Sequence, residues 1–170
     1  MRSSCRNLST VRLASLFTLA LPFGPLAMLW EILITCLLVA VTVAIHAGGL
    51  AFLPIFLVRA RALPPTRFWP ITWLLVRVTW WLILLHLLEI TFWAIFYLWQ
   101  QCLPDAESAF YFAGVTYTTI GYGDLVLPKP WRMLAPVEGL TGILMCGLSA
   151  SIFFAVVSRV YTSRLESIGK

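Results

Sequence analysis

The residues with the most chemical content form the stretch Thr118-Thr119-Ile120-Gly121-Tyr122-Gly123-Asp124, set between two very apolar regions. Its side chains hold no nucleophile paired with a base, so what the spacing offers is backbone. Glycines at 121 and 123 alternate with Ile120 and Tyr122 and can take positive φ, which lets successive carbonyl groups face one way rather than alternate. One such strand cannot enclose an ion. Four of them about a shared axis would stack rings of oxygens able to replace the hydration shell of a dehydrated cation.

Such a strand needs elements to hold it, and composition says which. The chain has 170 residues, 61% hydrophobic and 11% charged, against about 25% charged in a soluble domain. Apolar runs at Leu29–Val58, Ile71–Trp99 and Met133–Val157 each exceed the roughly 18 to 20 residues that cross a bilayer core as a helix. The expectation is an all-α membrane protein with three transmembrane helices and a re-entrant segment between the second and third. The formal charge of +5 does not argue for nucleic acid, because the arginines collect at the ends of the apolar runs. Arg59, Arg61 and Arg67 crowd the loop 59–70 around Pro64 and Pro65, and Arg159, Arg164 and Lys170 follow the third run. By the positive-inside rule the loop and the tail 160–170 are cytoplasmic, and the link carrying Asp105, Glu107 and Asp124 faces outward. Trp69, Trp73, Trp99 and Trp131 sit where an aromatic belt would. Residues 1–27, with Arg2, Arg6 and Arg12 before a short apolar stretch, read either as a signal-like segment or as a mis-assigned start with Met28 as the true beginning. Cys36 and Cys146 fall inside spans, Cys5 lies in the tail, and Cys102 lies near the outer surface as a free thiol or an intersubunit link; no disulfide framework or metal spacing is visible.

Between Gln100 and Trp131 the chain is too long for a turn and too apolar for an open external loop, so it re-enters the membrane. Pro104 is placed to start a helix, Asp105 and Glu107 put negative charge at its N-terminal end, and the helix reaches only about 20 Å. Irregular backbone at that depth is tolerated only where protein buries it or where it lines a water-filled path. Glu138, Gly139, Gly142 and Gly147 fall in the third run, where a mid-helix glycine costs up to about 1 kcal/mol against alanine. Gly139, Gly142 and Ser149 permit close helix packing. His86 and Glu89, three apart, share a helix face. An ionisable group near mid-membrane costs at least about 2.5 kcal/mol on insertion scales, so such residues face protein and pair. They form either a proton-sensitive contact, with His46 of the first run as partner, or a neutral hydrogen-bonded pair that fixes helix register. An intramembrane enzyme using His46, His86 and Glu89 lacks any His-Glu-x-x-His or nucleophile motif.

The pattern Thr-x-Gly-Tyr-Gly-Asp, with a short helix before it and a long span after, resembles the pore loop of the potassium-channel family. Chance is a weak competitor, on the order of one in ten thousand for a chain this long. The resemblance covers Ile71 to Arg159 as outer helix 71–99, pore helix 105–118, filter 119–123 and inner helix 133–159. It implies a bacterial ion channel with one pore loop per chain and an extra, peripheral helix at 28–58, assembled as a homotetramer in the lipid bilayer. In that resemblance K+ is held by the carbonyls of Thr119, Ile120, Gly121 and Tyr122 and by the Thr119 hydroxyl, while Gly123 completes the outer mouth. Thr118 and Asp124 support the filter, Asp124 as a ring of negative charge hydrogen-bonded to the pore helix. Ile120 and Tyr122 point away from the ions into an aromatic cuff that Tyr111 and Phe112 help to form. The C-terminal ends of the pore helices face the cavity and favour a cation there. Gly142 or Gly147 is the bending point of an inner gate. Val115 stands where some bacterial relatives place a carboxylate, so a carboxylate-linked inactivation is not implied.

The resemblance therefore implies passive, potassium-selective conduction across the cell membrane, with no cofactor and K+ as the transported ion. The alternative is a non-conducting or regulatory membrane subunit of a larger channel assembly. No run carries arginine at every third position, which argues against a voltage sensor of the usual kind. The residues after Arg159 are too few for a soluble ligand-binding domain.

Overall fold

The computed structural model describes residues 25–53 and 68–168. Within them the chain is helical: α1 spans Pro25–Ala51, α2 Phe68–Trp99, α3 Ala106–Tyr117 and α4 Leu134–Ile168, with a 3₁₀ turn at Lys129–Trp131 and no strand among the described residues. Helices α1, α2 and α4 are long and apolar enough to cross a membrane, and α3 is the short element between two of them.

Helix ends depart from the sequence expectation wherever local chemistry outweighs the apolar run. The segment 1–27 lies outside the described residues except for Pro25–Ala27, which open α1; a proline's fixed φ and missing N–H suit a first helical position. At its other end α1 stops at Ala51 instead of Val58. The N–H of Phe52 turns back to the Gly49 carbonyl at 3.4 Å, and Pro54 has no N–H to continue the ladder. Most of the arginine loop 59–70 lies outside the described residues, but Phe68–Pro70 belong to α2, where Pro70 is tolerated in the first turn. The inner helix, expected over 133–159, runs from Leu134 to Ile168 and takes in most of the expected tail. No glycine or proline interrupts the sequence between Gly147 and Gly169, and the Thr162 hydroxyl bonds back to the Ser158 carbonyl at 3.1 Å.

Two packing centres fix the arrangement. At one, Leu53, Leu74, Val78, Leu82 and Val156 form a buried apolar cluster that joins the chain just after α1 to α2 and α4. Nearby, a Cβ at Gly49 would collide with Leu85, and the Gly49 carbonyl accepts from Trp81 Nε1 at 3.0 Å, so α1 and α2 approach through a glycine. The other centre clasps α3. Ala109 and Ala113 are fully buried, Phe112 meets Tyr97 of α2 edge-on with ring centroids 5.3 Å apart, and Phe96 meets Trp131 at 5.6 Å.

On the α4 side the contact is backbone to backbone. A Cβ at Gly142 would strike the Tyr117 carbonyl, and one at Gly139 would lie 3.3 Å from the Thr116 carbonyl. Gly147, in contrast, faces nothing within 4 Å. Close packing thus explains Gly139 and Gly142, and Gly147 is left without a packing role. Gly142→Ala is expected to destabilise the folded protein by about 1 to 3 kcal/mol, the usual range for overpacking. Gly147→Ala should leave stability unchanged or raise it by up to about 1 kcal/mol through helix propensity. Thermal unfolding of the two variants in detergent checks this, and equal shifts would contradict it.

Candidate functional site

The site is built from the start of α3 outward. Asp105 takes the N-cap with extended backbone, φ −150°, and its carboxylate accepts from the Ser108 N–H at 2.8 Å and the Ser108 hydroxyl at 3.2 Å. Pro104 therefore sits one residue outside the helix rather than starting it, because the aspartate side chain satisfies donors that a proline cannot. The helix has 12 residues, or about 18 Å.

At its C-terminal end α3 is closed by the segment that follows. The Gly114 carbonyl accepts from the Thr118 N–H at 3.1 Å and the Thr118 hydroxyl at 2.7 Å, the Thr116 carbonyl from the Thr119 N–H at 2.9 Å, and the Val115 carbonyl from the Gly121 N–H at 3.0 Å. Carbonyls that a helix end leaves open are thus occupied. Then the backbone changes hand at every second residue. Thr119, Gly121 and Gly123 have φ of 61°, 52° and 80°, while Ile120 and Tyr122 keep negative φ. Backbone of alternating hand is what lets successive peptide carbonyls face one way rather than alternate. Among the described residues no backbone N–H donates to the carbonyls of Thr119–Gly123. The sequence pointed to the glycines but not to Thr119. A β-branched residue in the left-handed region is a genuine outlier, and the equal spacing 119, 121, 123 is the signal that could have found it.

Asp124 pins the C-terminal end of this run. Its Oδ2 accepts from the Tyr111 hydroxyl of α3 at 2.8 Å and its Oδ1 from the Leu125 N–H at 3.1 Å. Ile120 and Tyr122 are 55% and 69% exposed in the single chain. The expected aromatic cuff is not closed within one chain, because Phe112 turns inward onto Tyr97. Behind the run lies a groove of about 480 Å³ whose lining includes Val115, Thr119, Gly121, Gly123, Pro136 and Gly139. Cys102 is free and buried, with burial pushing its thiol up to about 11.

The polar residues inside the helices form two clusters. In the first, His46 and Glu89 are fully buried with Nδ1 2.7 Å from Oε1. The Tyr117 hydroxyl donates to Glu89 Oε2, His86 Nδ1 lies 3.0 Å from that hydroxyl and 3.8 Å from Oε2, and the Ser149 hydroxyl of α4 lies 3.4 Å from His46 Nε2. In the second, Glu138 is fully buried and accepts from the Tyr97 hydroxyl at 2.6 Å, while its Oε1 and the Trp93 Nε1 are buried with no hydrogen-bond partner among the described residues. Neither tyrosine was identified from sequence as a partner. The available signal was that a carboxylate buried in a span needs a donor, and a tyrosine on a neighbouring apolar element is a natural one. His46, His86 and Glu89 bring metal-type donor atoms within 4.8 Å of one another. Both Glu89 oxygens and both His46 nitrogens are nonetheless engaged within the network, so the trio is a hydrogen-bonded junction rather than a vacant ligand set.

A family model described as ion channel matches residues 71–159, more than half of the chain. No curated protein and no solved structure matches. The matched region runs from α2 through α3 and the left-handed run into α4, and it leaves α1 outside.

The bond from Tyr111 to Asp124 holds that phenol above its ordinary value, since a hydrogen bond to a carboxylate favours the neutral phenol. Its contribution is complete below the ordinary phenol value of about 10 and is lost only as pH rises through the raised one. Phenolate absorbance followed against pH should show a late-titrating tyrosine that returns toward about 10 in Asp124→Asn. Identical titrations would mean that the bond does not form in solution.

Proposed function

The chain belongs to the ion channel family, and from that premise we propose that it is a potassium-selective channel, passive and homotetrameric, in the cell membrane with its C-terminus on the cytoplasmic side. The observation that carries this reading is the run of left-handed residues at Thr119, Gly121 and Gly123 with its carbonyls unclaimed by backbone donors. Oxygens in that condition at membrane depth need a partner. Rings of such oxygens from four chains match a dehydrated K+, which trades its hydration shell for carbonyls at several successive levels and so can both enter and leave. Thr119, Ile120, Gly121 and Tyr122 would supply the carbonyls, Thr119 also its hydroxyl, Gly123 the outer mouth, and Asp124 the negative charge that concentrates cations there. Each chain contributes one such strand, and the exposure of Ile120 and Tyr122 suits an assembly in which neighbouring copies cover them.

Reversal potentials of reconstituted protein in graded potassium and sodium gradients, wild type beside Gly121→Ala, test the reading. Within its own chain a Cβ at Gly121 would meet nothing within 4 Å, so there the substitution acts through conformation, at φ +52°. Left-handed backbone costs an L-residue about 1 to 2 kcal/mol. Selective potassium flux in the wild type and its loss in the variant is the expected result. Equal passage of sodium and potassium would reject the selectivity, and no flux at all from the chain alone would favour a regulatory subunit instead.

A further inference from the structure

The family match begins at residue 71, so α1 is a segment that the matched domain does not account for. Its docking on α2 is already provided for without ionisable groups. Gly49 meets Leu85, Trp81 bonds the Gly49 carbonyl, and Leu53 joins the apolar cluster of α2 and α4. An apolar residue at position 46 would serve that docking with less desolvation. His46 is nevertheless there, fully buried, and its contacts lead toward the filter segment.

Its Nδ1 lies 2.7 Å from Oε1 of Glu89, whose Oε2 accepts from the hydroxyl of Tyr117. Tyr117 is the last residue of α3, two positions before Thr119, which opens the left-handed run. A carboxylate with both oxygens hydrogen-bonded has its plane fixed, and here the donor from α1 sets the face that the carboxylate offers to α3. Tyr117 is held at its other end as well, because its carbonyl lies where α4 presents Gly142. The Ser149 hydroxyl of α4, 3.4 Å from His46 Nε2, closes the network on the far side.

We propose that His46 and Glu89 are positioning residues for the filter: acting through the Tyr117 hydroxyl, they set where α3 ends and so hold Thr119–Gly123 in the geometry that selects the ion. On this view α1 is a working part of the pore. The proposal rests on the potassium-filter reading above, and its test separates the two.

Reversal potentials in opposed potassium and sodium gradients, with assembly state measured on the same preparations, are compared for wild type, His46→Leu, His46→Asn, Tyr117→Phe and the double variant His46→Leu/Tyr117→Phe. Losing a hydrogen bond to a buried carboxylate is expected to lower the potassium-to-sodium permeability ratio by at least about tenfold in His46→Leu and in Tyr117→Phe. His46→Asn places an amide N–H where Nδ1 stands and should recover most of the ratio. The double variant should be no worse than the more severe single one, since both break the same path. Leu37→Ala, on the exposed face of α1 at 63% exposure, should match the wild type. A selective wild type with an equally selective, assembled His46→Leu overturns the proposal and leaves the potassium reading standing. If His46→Leu does not assemble, Tyr117→Phe decides, and an unchanged ratio there overturns the proposal too. A non-selective wild type removes both.

Discussion

Peptide carbonyls released from a helix at membrane depth must find a partner that is neither bulk water nor lipid. Helix α3 ends against α2 and α4, both long and apolar enough to cross a membrane. The carbonyls of Gly114, Val115 and Thr116 are taken by N–H groups of the next few residues, which tie the start of the left-handed run to the helix that carries it. Past that point the handedness of the backbone alternates, and among the described residues the carbonyls accept nothing from the main chain. The left-handed Thr119 is the sharpest sign of what this requires: a β-branched residue stays in a strained region only when its surroundings over-determine it. Here those surroundings are the bonds onto the last turn of α3 before the strand and the Asp124–Tyr111 bond after it.

The same demand for partners orders the helices around the strand. Two glutamates lie fully buried in membrane-length helices, and each takes a tyrosine hydroxyl from another element, Glu89 from α3 and Glu138 from α2. These contacts cross between helices, whereas the apolar contacts between them are adaptable in register. Polar pairs of this kind specify which face meets which, and glycines at 49, 139 and 142 let the backbones come close enough for the pairs to form.

The fold class was legible in the sequence because it depends on quantities a linear chain displays: the length of apolar runs, the scarcity of charge, and a short helix too brief to cross. Helix ends were less legible. The stop at Ala51 depends on a turn that Phe52 makes onto Gly49, and the continuation of α4 to Ile168 depends on the absence of any breaker, which the apolar-run criterion ignores once polar residues begin. Spacing placed His86 and Glu89 on one face and the cost of burial pointed to His46 as a partner, which does lie on Glu89, whereas Tyr117, contributed by a third helix, was not foreseen. No periodicity within one segment reports contacts of that kind. The departure at Thr119 was hidden for another reason, since sequence assigns left-handed backbone to glycine and this strand demands it of a threonine.

Where α4 crosses the end of α3, Gly142 lies directly against the carbonyl of Tyr117. Side chains between helices act as a compliant layer that can change rotamer and absorb a displacement, and at this crossing that layer is missing. Two main chains in contact cannot be pressed closer, so relative movement of α4 here is restricted to gliding across the surface of α3 or lifting away from it. The crossing behaves as a bearing, and a displacement of α4 at Gly142 falls on the last residue of α3, two positions before Thr119.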